Sequence, residues 1–186
     1  MDLETFLLDL TNRAVPGGAA AAAQSAAMGA ALLRKVARVA LQRPTIAASA
    51  QGHFETLWAI ASEQQAALTE LADEDTQAYR ELLALQRSPA DDALVKQTWS
   101  RVIDIPIRLA GACDRLLQAS SSIDEICPTR LLPDLWIAQS LLTAGVKAGV
   151  WCAEANLRTS PSILDTASFR LRLAALADSP FGSPPK

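Results

Sequence analysis

The 186-residue sequence has few of the residues that build β-sheets, disulfide frameworks or metal sites. Aromatic residues make up 5% of the chain, and there are 8 glycines, 3 cysteines and 1 histidine. No segment alternates apolar and polar residues with β-branched enrichment over the length of a strand. Half of the residues are hydrophobic, mainly alanine and leucine. This composition predicts an all-α fold, a single-domain helical bundle.

The charge pattern also limits the classes of partner. The net charge is -3, and the sequence has no run of basic residues interleaved with aromatics, so we expect no nucleic-acid partner. The alanine-rich run 19–33 is too short and too weakly apolar to span a membrane, so we expect no membrane partner either.

The cysteines and the histidine predict neither a disulfide framework nor a metal site. Cys113, Cys127 and Cys152 are odd in number, widely spaced and set among apolar residues, which is typical of reduced core thiols. His53 has no cysteine or carboxylate at ligand spacing, so we expect no metal. The acidic N-terminal residues lead directly into an amphipathic pattern without secretory features, and we therefore expect a cytoplasmic protein.

The feature around which we expect the chain to be organised is the turn Val15-Pro16-Gly17-Gly18 and the alanine-dense segment after it. Pro16 restricts the backbone, and the two glycines admit backbone angles that other residues avoid. Residues 19–43 are predicted to form a central, mostly buried helix because alanine is the best helix former and leaves room for neighbours. The first N–H groups of this helix are suited to receive an anion or a polar ligand. The alternative is an ordinary helix start after a proline-glycine loop.

Apolar residues at helical spacing predict five further helices, which gives about six in all. Their expected ranges are 3–13, 46–85, a helix from Ser88 or Pro89 to about 119, 133–157 and 162–177. The longest helix requires either a kink, for which the acidic residues 73–75 are a plausible place, or a supercoiled partner, and the fourth helix should bend at Pro106. Gly145 and Gly149 predict a close helix contact. The domain should cover residues 1–178, with a flexible tail over 179–186.

Three basic residues cluster in the C-terminal half of the central helix. Arg34, Lys35 and Arg38 lie within about one and a half turns of each other. Cations are favourable near the negative end of a helix dipole, and we interpret the cluster in that way.

Three motifs occur in a characteristic order. They are the turn Pro16-Gly17-Gly18, the element Asp75-Thr76-Gln77-Ala78-Tyr79, and a helix that opens with Pro133-Asp134 and continues through small residues to Asn156. Gly29-Ala30-Ala31-Leu32 and Asp104-Ile105-Pro106 add to the pattern. Together they resemble the cyclodeaminase/cyclohydrolase family, which includes formiminotetrahydrofolate cyclodeaminase and methenyltetrahydrofolate cyclohydrolase.

The resemblance implies an all-helical homodimer whose substrate is a tetrahydrofolate derivative carrying a one-carbon unit. The implied enzyme is a C–N hydrolase or an ammonia-lyase in which carboxylates act at the one-carbon bridge. Asp134 is the first catalytic candidate and Asp75 the second. The implied ligand-binding residues are Pro16, Gly17, Gly18, Arg43, Lys147 and Asn156. The alternatives are that Asp134 only caps a helix and that Asp75 lies on a solvated acidic face.

Several positions depart from the family pattern, and two alternative functions follow. Ala19 and Ala20 replace a glycine and a small residue in the turn, which predicts a remodelled turn. The other departures are Arg38, Pro44 and Cys152. One alternative is a divergent member that acts on a less charged ligand. The other is an inactive interaction protein that uses its tryptophans, although such residues lie more often in a core than at an interface; they are Trp58, Trp99, Trp136 and Trp151.

Overall fold

The structure is a computed structural model that describes residues 2–44, 46–85, 87 and 91–181. These residues form six α-helices and one short 3₁₀ turn (Thr129–Leu131), and no strand occurs among them. The helices are α1 (Leu3–Asn12), α2 (Gly18–Leu41), α3 (Ala48–Leu85), α4 (Asp92–Ser121), α5 (Leu132–Thr159) and α6 (Ala167–Ala177). The predicted all-α bundle is therefore confirmed.

Helix α2 lies at the centre of the bundle, as the alanine content predicts. It packs against α3, α5 and α4. Ala20, Ala26 and Ala30 have no exposed surface, and Leu33 and Val36 are equally buried. Because the alanines carry only a methyl group, the neighbouring helices approach the α2 backbone closely on more than one side.

Helices α4 and α5 touch almost backbone to backbone at two glycines. A Cβ on Gly149 would lie 2.5 Å from the carbonyl oxygen of Pro106 and 2.9 Å from Ala110. A Cβ on Gly145 would lie 2.5 Å from the Sγ atom of Cys113. The close helix contact predicted from these two glycines is present.

Pro106 interrupts the hydrogen-bond pattern of α4, and a side chain of α5 supplies the missing donor. Proline has no N–H, so the carbonyl of Val102, four residues earlier, has no helical donor. The Nδ2 atom of Asn156 donates to that carbonyl at 2.8 Å. Asn156, predicted to bind ligand, therefore uses its side-chain amide to satisfy the backbone of α4.

Two helices differ from the sequence-based expectation. Helix α3 continues through residues 73–75 without interruption. Its acidic residues are accommodated separately, since Asp73 is exposed and Glu74 pairs with Arg108 at 2.6 Å. Helix α6 begins five residues later than predicted, because residues 160–166, which include Pro161, form bends and turns before it.

The remaining boundaries lie close to their predicted positions where the structure describes them. The predicted start of the fourth helix at Ser88 or Pro89 falls outside the described residues. Helix α4 begins at Asp92, where Asp91 accepts a hydrogen bond from the Leu94 N–H at 2.7 Å.

The first residues of the predicted tail contact the bundle. The hydroxyl of Ser179 lies 2.5 Å from an oxygen of Asp114, and Phe181 packs against the core. Residues 182–186 lie outside the described part.

Two of the four tryptophans lie outside the core. Trp136 is 57% exposed and Trp151 is 45% exposed. Both lie on α5, which packs against α2, α4 and α6 and leaves part of its apolar surface exposed. Within the described residues, no helix has the length and apolar character required to cross a membrane.

Replacing Gly149 with alanine is expected to destabilise the fold by about 3 kcal/mol, because the new methyl group meets the backbone of α4 and cannot be relieved by a side-chain rotation. Gly52→Ala is the matched control, since nothing lies within 4 Å of a Cβ at that exposed position in α3. The control should be stabilised by about 0.5–1 kcal/mol. Urea unfolding of both variants tests the expectation, and equal stabilities would contradict it.

Candidate functional site

The proline-glycine turn leaves open space at the N-terminus of α2. Val15 and Pro16 are buried, and Gly17 is the N-cap residue of α2, with φ -118° and ψ -164°. A Cβ on Gly17 or Gly18 would meet no atom of the described residues within 4 Å. The two glycines are therefore not required by packing within this chain.

The turn contains a cis Val15–Pro16 peptide bond, but its glycines do not adopt the backbone angles that other residues avoid. No described residue, glycine or otherwise, has a positive φ. Ala19 and Ala20 are ordinary residues of the first helical turn, without backbone strain. Alanine is accommodated there because both positions are fully helical.

Helix α3 runs antiparallel to α2 and brings Asp75 to the first turn of α2. The Asp75 carboxyl is mostly buried and lies against the backbone N–H of Ala20, which favours its ionised form. Burial raises the pKa of Asp75 to about 6, and the Ala20 N–H opposes part of this increase. A carboxyl group with this pKa can give up or accept a proton near neutral pH.

Cys152 belongs to the same end of the molecule. Burial, and then the negative charge of the nearby Asp75, raise the pKa of the Cys152 thiol above its ordinary value. All three cysteines are free, but only Cys113 and Cys127 are buried. The expectation of a core thiol is therefore wrong for Cys152, which lies half-buried beside the candidate acid–base group.

Asp134 lies at the other end of α2. Its carboxylate lies 2.8 Å from the Nζ atom of Lys35, and both side chains are partly exposed. Ala20 and Lys35 are fifteen residues apart, or about 22 Å along a helix that rises 1.5 Å per residue. Within one chain, the structure does not bring Asp134 and Asp75 into one cleft.

The other predicted ligand residues are also dispersed. Arg43 is half-buried just beyond the C-terminal end of α2. Lys147 lines a groove of about 660 Å³ between α4, α5 and the C-terminal segment, together with Asp124, Gln139 and Phe181. Of the predicted site residues, Pro16, Gly17, Gly18 and Asp75 lie at the N-terminal end of α2.

The described residues contain no metal-binding constellation. No group of three or more histidine, cysteine or acidic side chains lies close enough together in this part of the chain to hold an ion.

The family model for formiminotransferase-cyclodeaminase matches residues 2–169. The chain belongs to this family. Comparison with curated proteins gives no match. Among solved structures, the chain is similar to formiminotetrahydrofolate cyclodeaminase from Thermotoga maritima, with a TM-score of 0.82 and 18% sequence identity. The similarity covers 95% of this chain and 86% of that one, and it supports the same bundle fold.

Membership of the family is what the ordered motifs predicted. The motifs do not show that the Asp75 carboxyl reaches the α2 N-terminus, because that contact depends on how α3 is aligned with α2. In the sequence, Cys152 is notable only as a departure from the family pattern. Its position next to Asp75 could not be derived from spacing, since α3 and α5 are far apart in the chain.

The variant Asp75→Asn should be more stable than the wild type at neutral pH. Because the folded state raises this pKa from 3.8 to about 6, it binds the proton more tightly than the unfolded chain does. Stability contributed by Asp75 is therefore present below about pH 4 and is lost as the pH rises through about 6, by about 3 kcal/mol in total. Asparagine carries no charge to desolvate and keeps an acceptor for the Ala20 N–H.

Urea unfolding of both proteins between pH 4 and pH 7 measures this difference. The free energies of unfolding should be similar at pH 4 and should diverge in favour of Asp75→Asn as the pH rises. Parallel curves would show that the Asp75 pKa is not raised in the folded state.

Proposed function

We propose that this chain acts on the one-carbon unit of a tetrahydrofolate derivative at the N-terminus of α2. Membership of the formiminotransferase-cyclodeaminase family supports the substrate class. The observation that carries the proposal is the buried Asp75 carboxyl, whose pKa is about 6, beside the open glycine turn. The activity is either cyclohydrolase or cyclodeaminase.

Asp75 suits both reactions because each needs a proton to be moved at the one-carbon bridge. In the hydrolase reaction, water adds to the cationic methenyl carbon, one C–N bond breaks, and the departing nitrogen takes up a proton. In the cyclodeaminase reaction, a ring-closing nitrogen attacks the formimino carbon, and the amine nitrogen leaves as ammonia after protonation. The ionised carboxyl stabilises the cationic bridge or removes a proton, and the neutral form supplies the proton.

The first turn of α2 adds a second element to this chemistry. The N–H groups of Gly18 and Ala19 have no acceptor within the helix because of their position in it. They lie beside the open space at Gly17 and Gly18, where no described atom comes within 4 Å of an added Cβ. In our proposal, these N–H groups bind the polar or anionic oxygen of the reacting ligand.

We assign the acid–base role to Asp75 and propose only a secondary role for Asp134. Asp134 is already paired with Lys35 and lies about 22 Å further along α2. The remaining predicted ligand residues, Arg43, Lys147 and Asn156, stay predictions, and the bond from Asn156 to the Val102 carbonyl supports a structural role for that residue.

Purified protein is expected to remove the near-ultraviolet absorbance of methenyltetrahydrofolate or to release ammonia from the formimino derivative. Asp75→Asn should lower kcat by at least about 100-fold, because general acid–base groups contribute roughly 10²–10⁴-fold. Asp73→Asn is the matched control, an exposed aspartate two residues away in α3. Its kcat should remain within about twofold of the wild type.

The pH profile provides a second readout. The kcat/KM of the wild type should change with an inflection near pH 6, the pKa of Asp75. The proposal fails if the wild type has neither activity above the buffer control, or if Asp75→Asn is as active as Asp73→Asn. Saturable binding of an uncharged heterocycle without folate activity would instead support the divergent-ligand alternative.

We also infer that the protein forms a homodimer through a face made by α2 and α5. On α5, six apolar residues repeat at alternating spacings of four and three, and each is at least partly exposed: Ile137, Leu141, Ala144, Ala148, Trp151 and Ala155. A row with the same spacing on α2 has four apolar members, Ala21, Met28, Leu32 and Val39, and two polar ones, Ser25 and Lys35. Such spacing is typical of a helix face that packs against other helices.

The two rows lie on either side of the line along which α2 and α5 pack together. Leu141 contacts Gly29 where α5 packs on α2, and Lys35 pairs with Asp134 across it. Gly145 and Gly149 belong to the buried part of α5 that packs against α4, and Gly145 also lies against Ala26 of α2. The rows therefore form one outer surface, and a surface with so many apolar residues supports a protein partner. The family resemblance favours a second copy of this chain.

Ala144→Arg is expected to convert the dimer into a monomer, because the side chain is exposed in a single chain but would place a charge inside the interface. Ala84→Arg, at an exposed position of α3, is the control and should remain dimeric. Sedimentation equilibrium of the three proteins tests this expectation. A monomeric wild type would refute the proposed dimer.

A further inference from the structure

A small cavity between α2 and α3 is surrounded by cations. Its volume is about 260 Å³, and its lining residues are Ala31, Arg34, Lys35, Arg38, Trp58 and Gln65. No acidic side chain is among them. Three positive groups therefore face a space that can hold only a small chemical group.

Arg34 is held in place without being neutralised. Its Nη1 atom donates to the Oε1 atom of Gln65 at 2.7 Å, and its guanidinium carbon lies 5.0 Å from the centre of the Trp58 ring. Gln65 and Trp58 orient the guanidinium but carry no charge. Within the described residues, Arg34 has no carboxylate partner, and its buried Nε–H finds no acceptor.

The neighbouring cations are only partly balanced. Lys35 pairs with Asp134, which supplies one negative charge. Arg38 is exposed and forms no ion pair with any residue in the described ranges. Three cations and one carboxylate leave an excess of positive charge around the cavity, which attracts an anion.

The helix dipole does not account for this cluster, contrary to our interpretation from the sequence. The dipole effect falls off within the last helical turn. Arg38 is the only basic residue in the last turn of α2, and Arg34 lies seven residues before Leu41, the last residue of the helix. The positions of Arg34 and Lys35 therefore need another explanation.

We propose that this cavity binds an oxyanion, a carboxylate or a phosphate of a small ligand, between Arg34 and Arg38. The guanidinium group offers several N–H donors in one plane, a geometry that suits both oxyanions. Stacking on Trp58 keeps Arg34 oriented for this contact. The site is separate from the proposed catalytic group, because Arg34 and Ala20 are fourteen residues apart, about 21 Å along α2.

The test follows the side-chain Nε–Hε signal of Arg34 by NMR while the full-length protein is titrated with inorganic phosphate and, separately, with glutarate. Sodium chloride keeps the ionic strength constant, and Arg34→Lys identifies the signal by its loss. We expect a saturable shift with at least one of the two probes. The probe that saturates identifies the anion as phosphate or carboxylate.

Two variants distinguish a site from general attraction. Arg38→Gln should raise the half-saturating concentration at least fivefold. Arg80→Gln should change the half-saturating concentration less than twofold. Arg80 is an exposed arginine of α3 that does not line this cavity and forms no ion pair among the described residues. The proposal is overturned if neither probe saturates, or if Arg80→Gln weakens binding as much as Arg38→Gln. Because the readout is binding, it does not depend on folate activity.

Discussion

The close approach of α5 to the backbones of α2 and α4 is the constraint on which the rest of this structure depends. At Gly149, the carbonyl of Pro106 occupies the space that a side chain would need. At Gly29, an added Cβ would lie 3.1 Å from the carbonyl of Ala138. Such contacts permit only one alignment of the helices, since a shift of one residue would place a side chain against backbone.

That alignment decides what lies at each end of α2. Cys152 comes to the end where Asp75 meets the first helical turn, and Asp134 comes to the opposite end, beside Lys35. The same alignment places Asn156 next to the carbonyl that Pro106 leaves without a donor. One packing arrangement thus positions the candidate acid–base group, an ion pair and the donor for the Val102 carbonyl.

Asp75 connects the packing with the proposed chemistry. Burial makes its ionised form costly, which lowers stability at neutral pH but also brings its pKa to about 6. A group that destabilises the fold and is poised to exchange protons is typical of a functional site. The open space at Gly17 and Gly18 lies next to it and is not explained by packing within the chain.

The sequence by itself determined the helices, the buried position of α2 and the close contact at Gly145 and Gly149, because periodicity, alanine content and paired small residues are local properties. Its ordered motifs also predicted the family. Only the tertiary structure decided that Asp75 and Asp134 lie far apart, that Trp136 and Trp151 are exposed, and that Arg34 is not neutralised. The physical reason is that burial, ion pairing and pKa depend on which helices become neighbours and in what alignment, and residues distant in the chain set these together.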